Sequence, residues 1–285
     1  MNLAVLLCRA QHGTEAPQVT IEVFLSGGLP AFTIVGMPET VVRESKDRVR
    51  GALLSSGFEF PQQRITISLG PAEMRKTGGR YDLAIALGIL AARKQFPATA
   101  LEGVECYGEL ALGGELRPVS GLLPSVIKAQ ELGRQVIVPR ENASEAALAG
   151  AAVIGASTLV EVAAHLAGRN PLPLEPAADL PETFPGGADL ADVKGQQHAK
   201  RALEIAAAGN HNLLFVGPPG TGKSMLARRM PGLLPGMSKR EALETAAVRS
   251  LAGNKLAARE WRRRPFRAPH HTASAAALVG GGPRL

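Results

Sequence analysis

The chain has 285 residues, 45% of them apolar, with 32 basic and 25 acidic side chains and a formal net charge of +7. That length accommodates about two domains of ordinary size, and no apolar run approaches the ~20 residues of a membrane-spanning helix. The two cysteines, Cys8 and Cys106, are far apart and lack metal-ligand spacing, which excludes a disulfide scaffold and a cysteine zinc site and points to a reducing cytoplasm.

The segment Asn2 to Cys8 is short, has no basic residue ahead of its apolar run and no small-residue cleavage site behind it, so it reads as a first strand rather than a signal peptide. Val19 to Leu25 alternates as a strand does, Gly27-Gly28 supplies a turn, and Ala31 to Val35 is expected to return beside it as a hairpin. A helix follows from Glu39 to Ser56, with Val42, Val49 and Leu53 at helical spacing and Gly57 as its stop. Arg64 to Leu69 reads as a strand, Asp82 to Arg93 as a mostly apolar buried helix, and Cys106 to Leu112 as another strand. Then come a helix from Leu122 to Leu132, a strand at Gln135 to Val138, a helix after Asn142, a short strand near Val153 and a helix from Thr158 to Ala167. Residues 1–169 thus form an α/β domain of mixed pairing. Glu105, Glu109 and Glu115, spread over strand and loop, read as solubilising charges.

Five prolines and two glycines between Asn170 and Gly187 mark residues 170–188 as a semi-rigid linker, with a second domain at 189–285. The charge is asymmetric: residues 186–285 carry 16 basic and 6 acidic side chains, and residues 1–185 carry 16 basic and 19 acidic ones. A basic second part predicts a polyanionic partner, nucleotide or nucleic acid, although a solvated face or a subunit interface has the same composition.

Within it, Asn212 to Val216 reads as a buried parallel strand, followed by Gly217-Pro218-Pro219-Gly220-Thr221-Gly222-Lys223-Ser224 and a helix from Lys223 to Met230. The octapeptide fits G-x-x-x-x-G-K-[ST], the phosphate-binding loop: glycines let backbone N–H groups face a phosphate, the lysine reaches its outer oxygens, and the serine hydroxyl helps hold Mg²⁺. ATP and Mg²⁺ are the expected ligands. Beyond Ser224 no run of four apolar residues ends in Asp-Glu, so the acidic strand that polarises the attacking water is missing. The chain as given, a fragment or a truncated product, is therefore expected to bind ATP without hydrolysing it. Its region beyond about Gly232 is expected to pack poorly in isolation.

Arg259, Arg262, Arg263, Arg264 and Arg267 surround Trp261, the only tryptophan. Arginine beside an aromatic suits a nucleic-acid backbone with stacked bases, and a solvated helix face over a buried tryptophan suits it equally. His270-His271 have no third ligand at a suitable spacing, and adjacent histidines on a strand or helix point apart, so zinc is not expected.

Four stretches together resemble the ComM/YifB family of magnesium-chelatase-like AAA+ ATPases. They are Gly28 to Gly36 with Arg43-Glu44-Ser45 and Arg48-Val49-Arg50; Gly79-Arg80-Tyr81-Asp82-Leu83; the loop at 217–224; and Arg264 to Thr272. The resemblance implies an α/β fold in which a Lon-protease-like α+β domain precedes an incomplete AAA+ domain, with Ala191 to Gln196 leading into the nucleotide site beside the adenine. It also implies, for the complete protein, a hexameric ATP-driven DNA motor acting in branch migration during natural transformation. Two other readings stand beside it: a non-enzymatic nucleotide-sensing or assembly module, and a chelatase-type subunit.

The first domain is similar to the proteolytic domain of Lon through Lys76 to Gly79, Gly108 to Leu110, Ser120 to Leu122 and Val136 to Asn142. Lon uses a serine activated by a lysine. At the aligned positions stand Arg80 and Leu123-Pro124, so the resemblance implies the fold without the protease. Ser120 and Ser125 read as turn and helix-start residues.

Overall fold

The computed structural model describes residues 2–178, 180, 187–254 and 260–280, which divide into two compact units. The first comprises residues 1–178 with 246–255, the second residues 179–245 with 256–285.

The first unit is built on one seven-stranded sheet. In chain order its elements are β1 (Leu3–Arg9), β2 (Gln18–Ser26), β3 (Ala31–Val35), α1 (Thr40–Arg43), α2 (Ser45–Ser55), β4 (Arg64–Gly70) and α3 (Asp82–Ala92). They continue with β5 (Val104–Cys106), β6 (Glu109–Leu110), β7 (Leu116–Arg117), α4 (Leu123–Glu131), β8 (Gln135–Pro139), α5 (Arg140–Ala147), β9 (Val153–Ala156) and α6 (Leu159–Leu166). The strand order is β3-β4-β2-β1-β5-β8-β9, and only β2 runs against its neighbours. The short β6 and β7 form a separate antiparallel pair.

The expected hairpin of β2 with β3 does not form. β4 lies between them, antiparallel to β2 and parallel to β3. The register gives the reason: Ile21, Val23 and Leu25 stand opposite Leu69, Ile67 and Ile65, so two matched apolar alternations close on one buried face. β3 offers only the half-buried Phe32 and Ile34 and takes the sheet edge. The helix expected over Glu39 to Ser56 is divided into α1 and α2 around Glu44. The strand expected over Cys106 to Leu112 is likewise divided, into β5 and β6.

α3 is buried along its whole length and packs on β1 and β2. Its approach is close because Gly88 has no side chain: a Cβ there would lie 2.4 Å from Val23 Cγ2 and 2.9 Å from Leu6 Cδ1. β8 and β9 are apolar on both faces, as strands covered on both sides are. Thr158 caps α6, its hydroxyl accepting from the Glu161 amide.

Among the described residues of the second unit there are helices and no strand: α7 (Gln197–Gly209), α8 (Lys223–Ala227), α9 (Met230–Leu233), α10 (Lys239–Leu251, divided between the units) and α11 (Ala275–Val279). The parallel strand expected at 212–216 is therefore not present. A strand is defined by its neighbours, and none stands beside this run, so Leu214 and Val216 remain 83% and 87% exposed. Phe215 alone turns inward, against the small core of Leu190, Val193, Leu203 and Leu226.

Candidate functional site

The loop at 217–224 is organised by its own backbone. Gly220 and Gly222 sit at φ +83° and +84°, conformations that side-chain-bearing residues rarely adopt. Thr221 Oγ1 donates to the Pro218 carbonyl at 3.0 Å, closing the turn. Lys223 folds back over it, with Nζ 2.8 Å from the Gly217 carbonyl and 2.6 Å from the Pro218 carbonyl. Ser224, next in α8, is exposed and makes no side-chain hydrogen bond among the described residues. Pro219 lies on the exposed rim of the turn.

The segment ahead of α7 braces the loop. Gln196 begins α7 from a left-handed conformation at φ +57°, and its side-chain amide donates to the Thr221 carbonyl at 2.9 Å. Leu190 and Val193 from the same segment pack with Leu226 of α8, so the loop stands on a fixed base. Chemically, the arrangement places an ammonium group and an exposed hydroxyl at the mouth of a glycine turn. These are the groups that a polyphosphate and its magnesium ion require, so the residues present fit both ligands.

Of the two readings of the basic run, the burial of Trp261 agrees with the one that has the tryptophan inside. Trp261 is 2% exposed and so offers no stacking surface. Arg262 and Arg264 are half-buried, and Arg263 and Arg267 are exposed. Arg264 donates to the Pro235 carbonyl at 2.7 Å and faces Glu241 at 3.5 Å. Arg259 lies outside the described residues. His270 and His271 sit at a turn, where their rings come together with centroids 4.1 Å apart rather than pointing apart, and His270 Nδ1 is 2.7 Å from Thr272 Oγ1. No group of three His, Cys, Asp or Glu able to hold a metal occurs among the described residues.

In the first unit, the position aligned with the Lon serine is filled. Arg80 is 3% exposed, and its guanidinium donates to the Gln11 side-chain carbonyl at 2.7 Å, the Ser120 carbonyl at 2.8 Å and Ser125 Oγ at 3.5 Å. Ser125 is thus a buried acceptor inside α4, and Lys128 of the same helix pairs with Glu131.

Two buried charge clusters escaped the sequence reading. Glu105, taken for a solubilising charge, is fully buried. It is gripped by Arg9 at 2.9 Å and Arg134 at 2.8 Å and accepts a hydrogen bond from the Tyr107 hydroxyl. Burial and the neighbouring carboxylate raise the Tyr107 phenol well above its usual range. The second cluster joins Asp82 to Arg48 and Ser45. The only sequence signal for either was an acidic residue inside, or at the head of, an apolar run.

The chain is 53% identical to competence protein ComM of Haemophilus influenzae, over 99% of this chain and 56% of that protein. It is 51% identical to the uncharacterised protein YifB of Salmonella typhimurium, over 99% and 56%. The chain belongs to the ComM/YifB family of magnesium-chelatase-like AAA+ ATPases. Residues 189–285 match the family description "Magnesium chelatase, subunit ChlI", and residues 21–142 match "Subunit ChlI of Mg-chelatase". The chain spans about half the length of the ComM and YifB relatives it matches. A 59-residue stretch is 46% identical to the archaeal Lon protease of Archaeoglobus fulgidus, covering 21% of this chain and 9% of that one. This ComM/YifB member thus shares a short stretch with a Lon protease, consistent with its mixed α/β first unit. No helix among its described residues is long and apolar enough to cross a membrane.

Proposed function

We propose that this chain binds MgATP at residues 217–224 and serves, in the complete ComM/YifB protein, as the nucleotide-binding part of a ring-forming, ATP-driven DNA motor. The observation that carries the reading is the position of Lys223, whose ammonium is turned into the glycine loop and held only by loop groups. Phosphate oxygens are stronger acceptors for an ammonium than neutral carbonyls, so a nucleotide would take over these contacts. Gly220 leaves open space above the turn, since a Cβ there would meet nothing within 4 Å. Ser224 is the residue that would ligate magnesium, which when bound spreads positive charge over the outer phosphates. Gln196 keeps Thr221 in place while the ligand exchanges. The hexamer and the DNA partner rest on family membership and on the excess of basic residues in 186–285.

Equilibrium titration with a fluorescent ATP analogue tests the binding claim. Magnesium-dependent binding is expected, with Lys223→Ala weakening it by about tenfold or more, the loss of one hydrogen bond to a charged group. Equal affinity in the variant would remove Lys223 from the site. Electron microscopy with ATP and forked DNA tests the motor: a ring encircling DNA supports it. Absence of both ring and ATPase activity would instead favour the nucleotide-sensing module.

A further inference from the structure

The sheet of the first unit ends at β9, and an edge strand offers unpaired backbone groups to any chain that can reach it. The segment that leaves α6, Asn170-Pro171-Leu172-Pro173-Leu174-Glu175-Pro176, meets that edge. Leu174 stands opposite Ile154 in an antiparallel bridge, and the Glu175 amide donates to the Val153 carbonyl at 2.8 Å. Prolines 171, 173 and 176 have no N–H, so few amides are left to hold the segment. One of them, on Leu172, donates at 2.9 Å to Nδ1 of half-buried His165 in α6. Apolar burial adds little, since Leu174 is 56% exposed, and Glu175 faces Arg140 of α5 only at 3.9 Å.

An imidazole accepts a hydrogen bond through its unprotonated nitrogen, and an imidazolium has none. We infer that residues 170–176 are a pH-sensitive strap, held on the edge of β9 by neutral His165 and released when His165 is protonated. In the charged ring a second N–H faces the Leu172 amide where the acceptor stood. What then remains is the Glu175 amide and a partly exposed ion pair of small worth. Release adds residues 170–175 to the free connection toward the second unit, roughly 20 Å of extended chain, and bares the edge of β9.

The surroundings of His165 make the ring itself the titrating group. Burial lowers its pKa below the ordinary 6.5. On α6, Glu161 accepts from the Ser157 amide at 2.8 Å, and Arg169 beyond the helix end is exposed. β9 carries no titratable side chain, and α3 carries only Asp82, bound to Arg48 at the helix head. On the strap, Glu175 faces Arg140. A histidine whose pKa is lowered in the docked state gives docking its full strength above 6.5. That strength is lost as pH falls from there through the lowered value.

Nuclear magnetic resonance of the ¹⁵N-labelled full chain between pH 8 and pH 5 tests the strap. The Leu172 and Glu175 amides are expected to shift with the midpoint of the His165 ring. Their solvent exchange, corrected for its intrinsic pH dependence, is expected to quicken about fivefold or more across that midpoint, the loss of one hydrogen bond. The amides of α3 serve as the internal reference and are expected to stay protected. His165→Asn keeps a non-titrating acceptor near the place of Nδ1 and should make Glu175 exchange independent of pH. His165→Phe should leave the strap loose at every pH. Strap amides that do not follow the His165 midpoint in the parent would overturn the inference, and so would the same acid loss in His165→Asn. Loss of α3 protection at the same midpoint would mean general unfolding in place of strap release, and would overturn it too.

Discussion

Arg48 and Asp82 meet across 34 positions of sequence, Nε to Oδ2 at 2.6 Å and a second guanidinium nitrogen to Oδ1 at 3.1 Å, with the carboxylate fully buried at the head of α3. Ser45 donates to the same carboxylate, and the Leu110 amide reaches it at 3.3 Å. One aspartate thereby ties α2, α3 and β6 together. The residues that carry the family resemblance in the first unit, Ser45 and Arg48 on one side and Asp82 on the other, are partners in one contact.

Removing Arg48 leaves that carboxylate buried without its cation. Arg48→Ala is expected to destabilise the first unit by about 3 kcal/mol, the low end for breaking a buried pair, because Arg48 keeps one side in water. Chemical denaturation followed by circular dichroism measures it, and a loss below about 1 kcal/mol would place the pair among ordinary surface bridges.

The same aspartate gives a pH signature. Burial raises the Asp82 carboxyl above its ordinary 3.8, and the Arg48 and Ser45 hydrogen bonds oppose this only in part. A carboxyl raised on folding binds its proton more tightly in the folded state, so the stability it contributes is present in acid and is lost as pH rises from 3.8 through the folded value. The stability of the parent relative to Asp82→Asn should therefore fall as pH rises through that window, other carboxylates cancelling in the difference. A flat difference, or one that rises with pH, would contradict the direction.

The elements of the first unit were legible because alternation and helical spacing are local properties of β2, β4 and α4. Partners were not: β2 could pair with whichever strand matched its buried face, and Ile65, Ile67 and Leu69 matched better than the strand next in sequence. Buried charges were hidden for a related reason. Glu105 looks like any strand glutamate until Arg9 and Arg134 arrive from distant segments. The glycine turn at 217–224 was legible because it needs only its own glycines, whereas the strand predicted before it needs neighbours that the described residues do not supply.

Two glycines of the first unit should respond differently to a methyl group. Gly88→Ala inserts a Cβ within 3 Å of Val23 and Leu6 and must push α3 away from the sheet, an overpacking expected to cost about 1–3 kcal/mol. At Gly27 a Cβ meets nothing within 4 Å, so Gly27→Ala should change stability by less than about 0.5 kcal/mol. Thermal melts of the two variants would show the contrast. Comparable melting temperatures would mean that α3 can retreat without loss.

Cys8 and Cys106 occupy neighbouring register positions on parallel β1 and β5, both buried and both free. Burial pushes the Cys8 thiol up to about 12 and raises Cys106 as well, so neither supplies thiolate near neutral pH. Iodoacetamide at pH 8 should leave both unmodified in the folded protein and alkylate both in denaturant, as mass spectrometry would read. Rapid labelling of the folded protein would show that β1 and β5 separate readily.

Trp261 is the only tryptophan and lies 2% exposed, so its fluorescence reports on whether its own surroundings stay packed. Its emission should be blue-shifted relative to free tryptophan and resistant to acrylamide. Addition of oligothymidylate should leave the intensity nearly unchanged, because the buried indole offers no face to a base. Strong quenching on addition would show instead that the segment around Trp261 opens to expose the indole.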